Sequence, residues 1–189
     1  MIAGPNGSGK TTLTDQLRAN GVDFGRYINP DEIAKTLTGS YGERVREAQA
    51  LADAQRLGCL ETRQSFSFET VMSHVSKVET LRQARAAGFR VALYFVATES
   101  PSLNVARVAQ RVALGGHDVP EDRIRERYVR TLGLLPQALA AADMAVLFDN
   151  TYGAPAVLRP FCEKQGEKIT LAPPMPDWAR PALRTLLPL

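Results

Sequence analysis

Gly4-Pro5-Asn6-Gly7-Ser8-Gly9-Lys10-Thr11 begins after only three residues and decides the fold. It fits G-x-x-x-x-G-K-[ST] at every fixed position. Each residue type has a chemical reason. The glycines let backbone N–H groups turn onto phosphate oxygens with no Cβ in the way. A helix expected from Lys10 to Asn20, with Leu13 and Leu17 on one face, aims its positive end at the same anion. Lys10 carries a point charge to the β- and γ-phosphates, and the Thr11 hydroxyl is placed to ligate Mg²⁺. Gly4, Pro5, Asn6, Gly7, Ser8, Gly9, Lys10, Thr11 and Thr12 are therefore the expected nucleotide cradle. Such a loop implies binding of a nucleoside triphosphate. By itself it does not separate a kinase from a GTPase, a motor or an ABC-type ATPase.

The rest of the chain narrows the choice. Its 189 residues are 44% hydrophobic and 23% charged, a balance that excludes disordered, collagenous and disulfide-scaffold classes and fits one domain over 1–189. No apolar run approaches the roughly 18 residues of a membrane span, and no signal peptide precedes the loop, so a cytoplasmic location is expected. The net charge of +3 permits acidic partners without calling for nucleic acid. Cys59 and Cys162 lack metal-type spacing and read as free thiols, and His74 and His117 cannot build a zinc site unaided. Only Met1, Ile2 and Ala3 remain for the strand that should lead into the loop, where about five or six residues are usual. That shortness suggests missing core residues ahead of Met1 and a weakened region around the loop.

Apolar strands alternate with helices, which predicts a three-layer α/β/α fold with a mainly parallel sheet. Strands are expected at Phe24–Ile28, Ser65–Phe68, Val91–Ala97 and Ala145–Phe148. The run Val91–Ala97 is apolar throughout, as for a strand buried on both faces. Val71, Val75, Val78 and Leu81 recur at helical spacing. A helix over Glu121–Ala142 contains Pro136, which should kink or interrupt it. The segment at about 102–130 reads as a helical lid, and the C-terminal part at about 155–189 as a hairpin followed by a helix.

Neither an N-K-x-D motif nor an L-S-G-G-Q signature is present, and the length suits a small P-loop kinase. Such enzymes place an acceptor-side carboxylate near the second strand. Asp31 lies there, 21 residues after Lys10, at the strand edge where ligands of open α/β sheets bind. It could take the proton of an acceptor hydroxyl, or equally cap the following helix. Glu69 ends the next strand and could orient substrate, or simply begin a helix. Arg107 and Arg111 are i, i+4 on one lid helix and could both face the cleft, where arginines stabilise charge on the transferring phosphoryl group. Gly115-Gly116 could hinge the lid, with His117 in the same loop.

Several segments together resemble the zeta-toxin-like P-loop kinases: Ala3–Thr11, Ile28-Asn29-Pro30-Asp31-Glu32-Ile33-Ala34, Ser67-Phe68-Glu69-Thr70, Arg107–Val112, Gly115–Pro120 and Phe148-Asp149-Asn150. The resemblance runs from the first residues to about Asn150. It implies an ATP- and Mg²⁺-dependent phosphotransferase acting on a hydroxyl of a small acceptor, UDP-N-acetylglucosamine in the toxins themselves, and it implies a possible antitoxin partner. Carried over, Lys10 and Thr11 match the phosphate and Mg²⁺ residues, Asp31 the aspartate that activates the acceptor, and Glu69 a substrate-side glutamate. His117 falls near the second lid position of the family, whose two arginines are spaced more widely than Arg107 and Arg111. A nucleotide-gated binding protein and a polynucleotide kinase are the alternatives.

Overall fold

The computed structural model describes residues 1–116, 118–152, 158–184 and Leu186. In chain order the elements are β1 (Ile2–Ala3), α1 (Lys10–Ala19), β2 (Arg26–Ile28), α2 (Pro30–Thr36), α3 (Tyr41–Glu61), β3 (Phe66–Thr70) and α4 (Val75–Ala86). They continue with β4 (Ala92–Ala97), α5 (Pro101–Ala113), α6 (Glu121–Ala141), β5 (Met144–Asp149), β6 (Arg159–Gln165) and β7 (Lys168–Leu171). A 3₁₀ turn (Asp177–Ala179) and α7 (Arg180–Arg184) follow.

The strands form one sheet in the order β2-β3-β1-β4-β5-β6-β7. The first five of these run parallel, and β6 and β7 add an antiparallel hairpin at the β5 edge. The two-residue β1 lies at the centre, paired with β3 on one side and β4 on the other. Met1 is buried beside it, its carbonyl accepting from the Tyr94 N–H at 2.9 Å.

Alternation along the strands builds the layers. Leu93, Phe95 and Ala97 of β4 join Ala145 and Leu147 of β5 and Ala3 of β1 in one core, with α4, α6 and α7 supplying Val78, Leu81, Leu135, Leu139 and Leu183. Tyr94, Val96, Val146, Phe148 and Ile2 point the other way and meet Leu13 and Leu17 of α1. Helices thus cover both faces of a mainly parallel sheet, which is why β4 reads as continuously apolar. Among the described residues no helix is long and apolar enough to cross a membrane.

Two local expectations are revised, and a third falls partly outside the described residues. The helix expected from Val71 begins at Val75 instead, capped by His74, whose Nδ1 accepts from the Ser76 N–H at 3.2 Å. Met72 lies between them in a left-handed conformation (φ 57°), and the Val71 carbonyl is held by the Thr131 hydroxyl at 2.8 Å. The 3–4 spacing of valines therefore overran the helix by a turn. Helix α6 is assigned without a break through Pro136, because Leu135, Ala138 and Leu139 on either side of it are buried in the core. The hairpin pairs Arg159–Gln165 with Lys168–Leu171, whereas Val157, expected at its start, lies outside the described residues.

Helix α3 starts at Tyr41 behind a capping box, with Ser40 Oγ accepting from the Glu43 N–H and Glu43 Oε2 accepting from the Ser40 N–H. Replacing Ser40 by Ala should cost about 1 kcal/mol. A thermal melt should then show Tm lower by about 2–4 °C, and an unchanged Tm would mean the box contributes nothing.

Candidate active site

The phosphate loop links β1 to α1 at the centre of the sheet, and its glycines meet two geometric demands. Gly7 (φ +73°) and Gly9 (φ +99°) are left-handed, and a Cβ on Gly7 would come within 2.6 Å of the Asn104 carbonyl oxygen at the root of α5. A Cβ on Gly9 would collide with the Asn150 side-chain amide, which donates to the Ser8 carbonyl at 2.8 Å. Gly9 occupies the N-cap position of α1 with no side-chain cap. The first-turn N–H groups of α1 thus keep their capacity for an anion.

Lys10 folds back on this loop, its Nζ donating to the Gly4 and Pro5 carbonyls at 2.9 and 3.0 Å. Desolvation pulls its ammonium down to about 8, opposed by the negative charges of Glu69 and Asp31, with Arg111 acting in the same direction as burial. Among the described residues, the buried side-chain polar atoms without a hydrogen-bond partner include Asn6 Oδ1, Ser8 Oγ, Asn104 Nδ2 and Arg107 Nη1. All four belong to the loop or to α5, and a polar ligand there would offset part of that cost.

Asp31 is exposed in the first turn of α2. The capping alternative does not hold for it: Asn29 is the cap, its Oδ1 accepting from the Asp31 N–H at 2.9 Å, and Pro30 fills the next position. The Asp31 side chain is thus not the N-cap of α2. Glu32 pairs with Lys35 at 2.7 Å on the outside of α2. Glu69 lies within β3, six positions before the start of α4, so it is not a helix-terminal acid. Its Oε1 accepts from the Thr14 hydroxyl at 2.5 Å and from the Tyr27 phenol at 2.7 Å.

Arg107 and Arg111 share a face of α5 but have different surroundings. The charge of Arg111 lowers the Lys10 ammonium. Arg107 instead donates through Nη2 to the Thr151 carbonyl at 3.5 Å and lies beside Asp149, which opposes the lowering effect of its burial. Asp149 is itself engaged by the Thr151 hydroxyl at 2.7 Å and the Trp178 indole N–H at 2.9 Å. On α6, Arg125 and Arg130 pair with Glu121 and Glu126, as on a solvated helix. His117 lies outside the described residues.

Thr11 and Thr12 are exposed on the first turn of α1. Among the described residues no group of three or more His, Cys, Asp or Glu side chains could hold a metal by itself. A hydroxyl beside a phosphate cradle suits Mg²⁺, which is commonly bound through few protein ligands plus substrate phosphates.

Sequence reasoning missed Thr14, Tyr27 and Asn104. Thr14 follows Lys10 by one helical turn, and this spacing was the available signal. The other two make contacts between distant segments, which no local pattern encodes.

Strand order, parallel core and phosphate loop together define a P-loop protein of kinase-like layout. The chain belongs to the zeta toxin family, whose model matches residues 1–150. A Haemophilus influenzae protein without an assigned role is 30% identical over 132 residues, covering 68% of this chain and 90% of that one. Among solved structures, the AvrRxo1-ORF1:AvrRxo1-ORF2 complex with sulphate ions superposes with a TM-score of 0.65 at 15% identity. It covers 99% of this chain, which in turn spans only 62% of the length of that one. The same complex with ATP gives a TM-score of 0.62 at 16% identity, again covering 99% of this chain and 62% of that one. The PezAT chromosomal toxin-antitoxin system of Streptococcus pneumoniae gives 0.53 at 16% identity, covering 79% of this chain and 67% of that one. At these identities the structural likeness is one of fold.

Proposed function

We propose that the chain transfers the γ-phosphoryl group of ATP to a hydroxyl of a small acceptor, a nucleotide sugar of the UDP-N-acetylglucosamine type. The observation that carries this reading is a pair of carboxylates beside the phosphate loop: Glu69, held by the hydroxyls of Tyr27 and of Thr14 one helical turn after Lys10, and Asp31, at the head of α2 where Asn29 supplies the cap. A nucleotide switch needs the phosphate loop but has no evident use for a second carboxylate. A kinase needs one acid to take a proton and another to orient the acceptor.

In this reading Gly4–Thr12 cradle the triphosphate, and Lys10 leaves the Gly4 and Pro5 carbonyls for the β- and γ-phosphates. The acceptor oxygen attacks the γ-phosphorus while the bond to the β,γ-bridging oxygen breaks and ADP leaves. The acceptor proton passes to the Asp31 carboxylate. Lys10 and Arg111 meet the charge that develops on the γ-phosphoryl oxygens. Arg107, beside Thr151, serves the nucleotide end of the cleft. Mg²⁺, held by the Thr11 hydroxyl and the phosphates, would neutralise the triphosphate charge. His117 and Glu69 belong to the acceptor side. The toxin–antitoxin setting of PezAT supports an antitoxin partner, which would act most simply by occluding the phosphate loop.

The test is incubation with labelled ATP and a panel of nucleotide sugars, followed by separation of products. A phosphorylated nucleotide sugar is expected. Absence of transfer to every member of the panel would remove this acceptor class.

A further inference from the structure

The reaction proposed above needs Asp31 and Glu69 at a set separation, although one stands on a helix end and the other on a strand. A continuous hydrogen-bond chain joins them. Thr14, buried on α1, donates its hydroxyl to Glu69 Oε1 at 2.5 Å. The Tyr27 phenol at the middle of β2 donates to the same oxygen at 2.7 Å. Asn29 Nδ2 donates to the Tyr27 oxygen at 3.2 Å, and Asn29 Oδ1 accepts from the Asp31 N–H at 2.9 Å. The Tyr27 ring is pinned as well: the Arg18 guanidinium lies 4.5 Å over it, and the Phe24 ring meets it edge-on at 5.8 Å.

The chemistry of the carboxylate gives the chain a purpose. Each carboxylate oxygen has about two lone-pair sites. Glu69 Oε1 meets two protein hydroxyls, whereas among the described residues Oε2 accepts no hydrogen bond. Two O–H donors on one oxygen fix the plane of the group. The free oxygen is then left for an incoming donor.

We propose that Tyr27, backed by Thr14 and Asn29, is a positioning residue that holds Glu69 as an oriented carboxylate with Oε2 presented to a hydroxyl of the acceptor. Asn29 sets the spacing to Asp31, since it caps the Asp31 helix with one side-chain atom and holds the Tyr27 phenol with the other. The proposal rests on the phosphotransfer reading above, and its test separates the two.

Tyr27→Phe keeps the ring and its stacking and removes only the hydroxyl. The expected result is a raised acceptor KM and a lowered kcat, with kcat/KM for the acceptor down about tenfold, the size of one hydrogen bond to a charged group. MgATP affinity should stay unchanged. Thr14→Val should share the deficit, and Thr14→Ser, which keeps the hydroxyl, should restore wild-type kinetics. A variant with wild-type acceptor kcat and KM and only a lowered Tm would overturn the proposal. A second arm needs no turnover: crystal structures of wild type and Tyr27→Phe should show the Glu69 carboxylate in one orientation in the first and turned, or in two conformers, in the second. A carboxylate in the same single orientation in both proteins would mean that Tyr27 does not hold it. If the wild type transfers to no acceptor, the phosphotransfer reading falls, and the carboxylate orientation alone then decides for or against the Tyr27 clamp.

Discussion

Asp31→Ala is expected to leave MgATP binding intact and to cut phosphoryl transfer by about 10²–10⁴-fold, the usual contribution of a positioned general base. The separation of the two effects follows from the geometry. Asp31 is exposed and stands on α2, outside the phosphate loop, so deleting its carboxylate removes no phosphate contact. The helix end should survive too, because Asn29 supplies the cap. Lys10 loses one of the two negative charges that support its ammonium, so its proton should come off at slightly lower pH. Fluorescence titration with a labelled ATP analogue, run beside the transfer assay, checks both halves. Equal loss in binding and transfer would show that Asp31 serves the nucleotide and not the acceptor. No loss in either would point to a protein that binds nucleotide without using Asp31 as a base.

Lys10→Ala is expected to lower transfer by about 10²–10³-fold, the range measured when one preorganised donor to a developing charge is removed. The wild-type protein should also carry a pH signature that this variant lacks. Burial brings the Lys10 ammonium from 10.5 to about 8. A triphosphate needs the charged form, so nucleotide affinity should fall as pH rises through about 8. Stability should move the opposite way. Between about 8 and 10.5 the unfolded chain keeps this proton while the folded one has lost it, so unfolding takes up a proton and stability increases with pH across that window. Binding isotherms and thermal melts at pH 7, 8 and 9 (below, at and above the midpoint) test the pair of slopes. Identical pH profiles for wild type and Lys10→Ala would exclude Lys10 as the titrating group.

The layered fold was legible because its signals are local. Gly4–Thr11 can do little but join a strand to a helix, and Val91–Ala97 is too apolar for a strand with one wet face. The assignment of Asp31 and Glu69 to one edge followed from their positions at the C-terminal ends of successive parallel strands. The division between Arg107 and Arg111 was hidden, because helical spacing says that two side chains share a face and nothing about what lies opposite each. Here Asp149 and Thr151 lie opposite one, and the charge of the other reaches Lys10. Tyr27 was hidden for the same reason. On β2 it reads as an ordinary aromatic strand residue, and only the parallel pairing of β2 with β3 brings it to Glu69.

The Trp178 indole, bonded to Asp149, also packs against the rings of Phe95 at 5.9 Å and Phe161 at 5.4 Å. The stretch shared with the family ends at residue 150, before either Phe161 or Trp178. A fragment cut at that shared border would carry every motif and still uncover Phe95, which is wholly buried in the intact chain, and leave Asp149 without its indole donor. The portion matched by the family model is therefore shorter than the portion packed together in this chain. Swapping active-site modules between family members would have to carry the Trp178 tail along with the motifs.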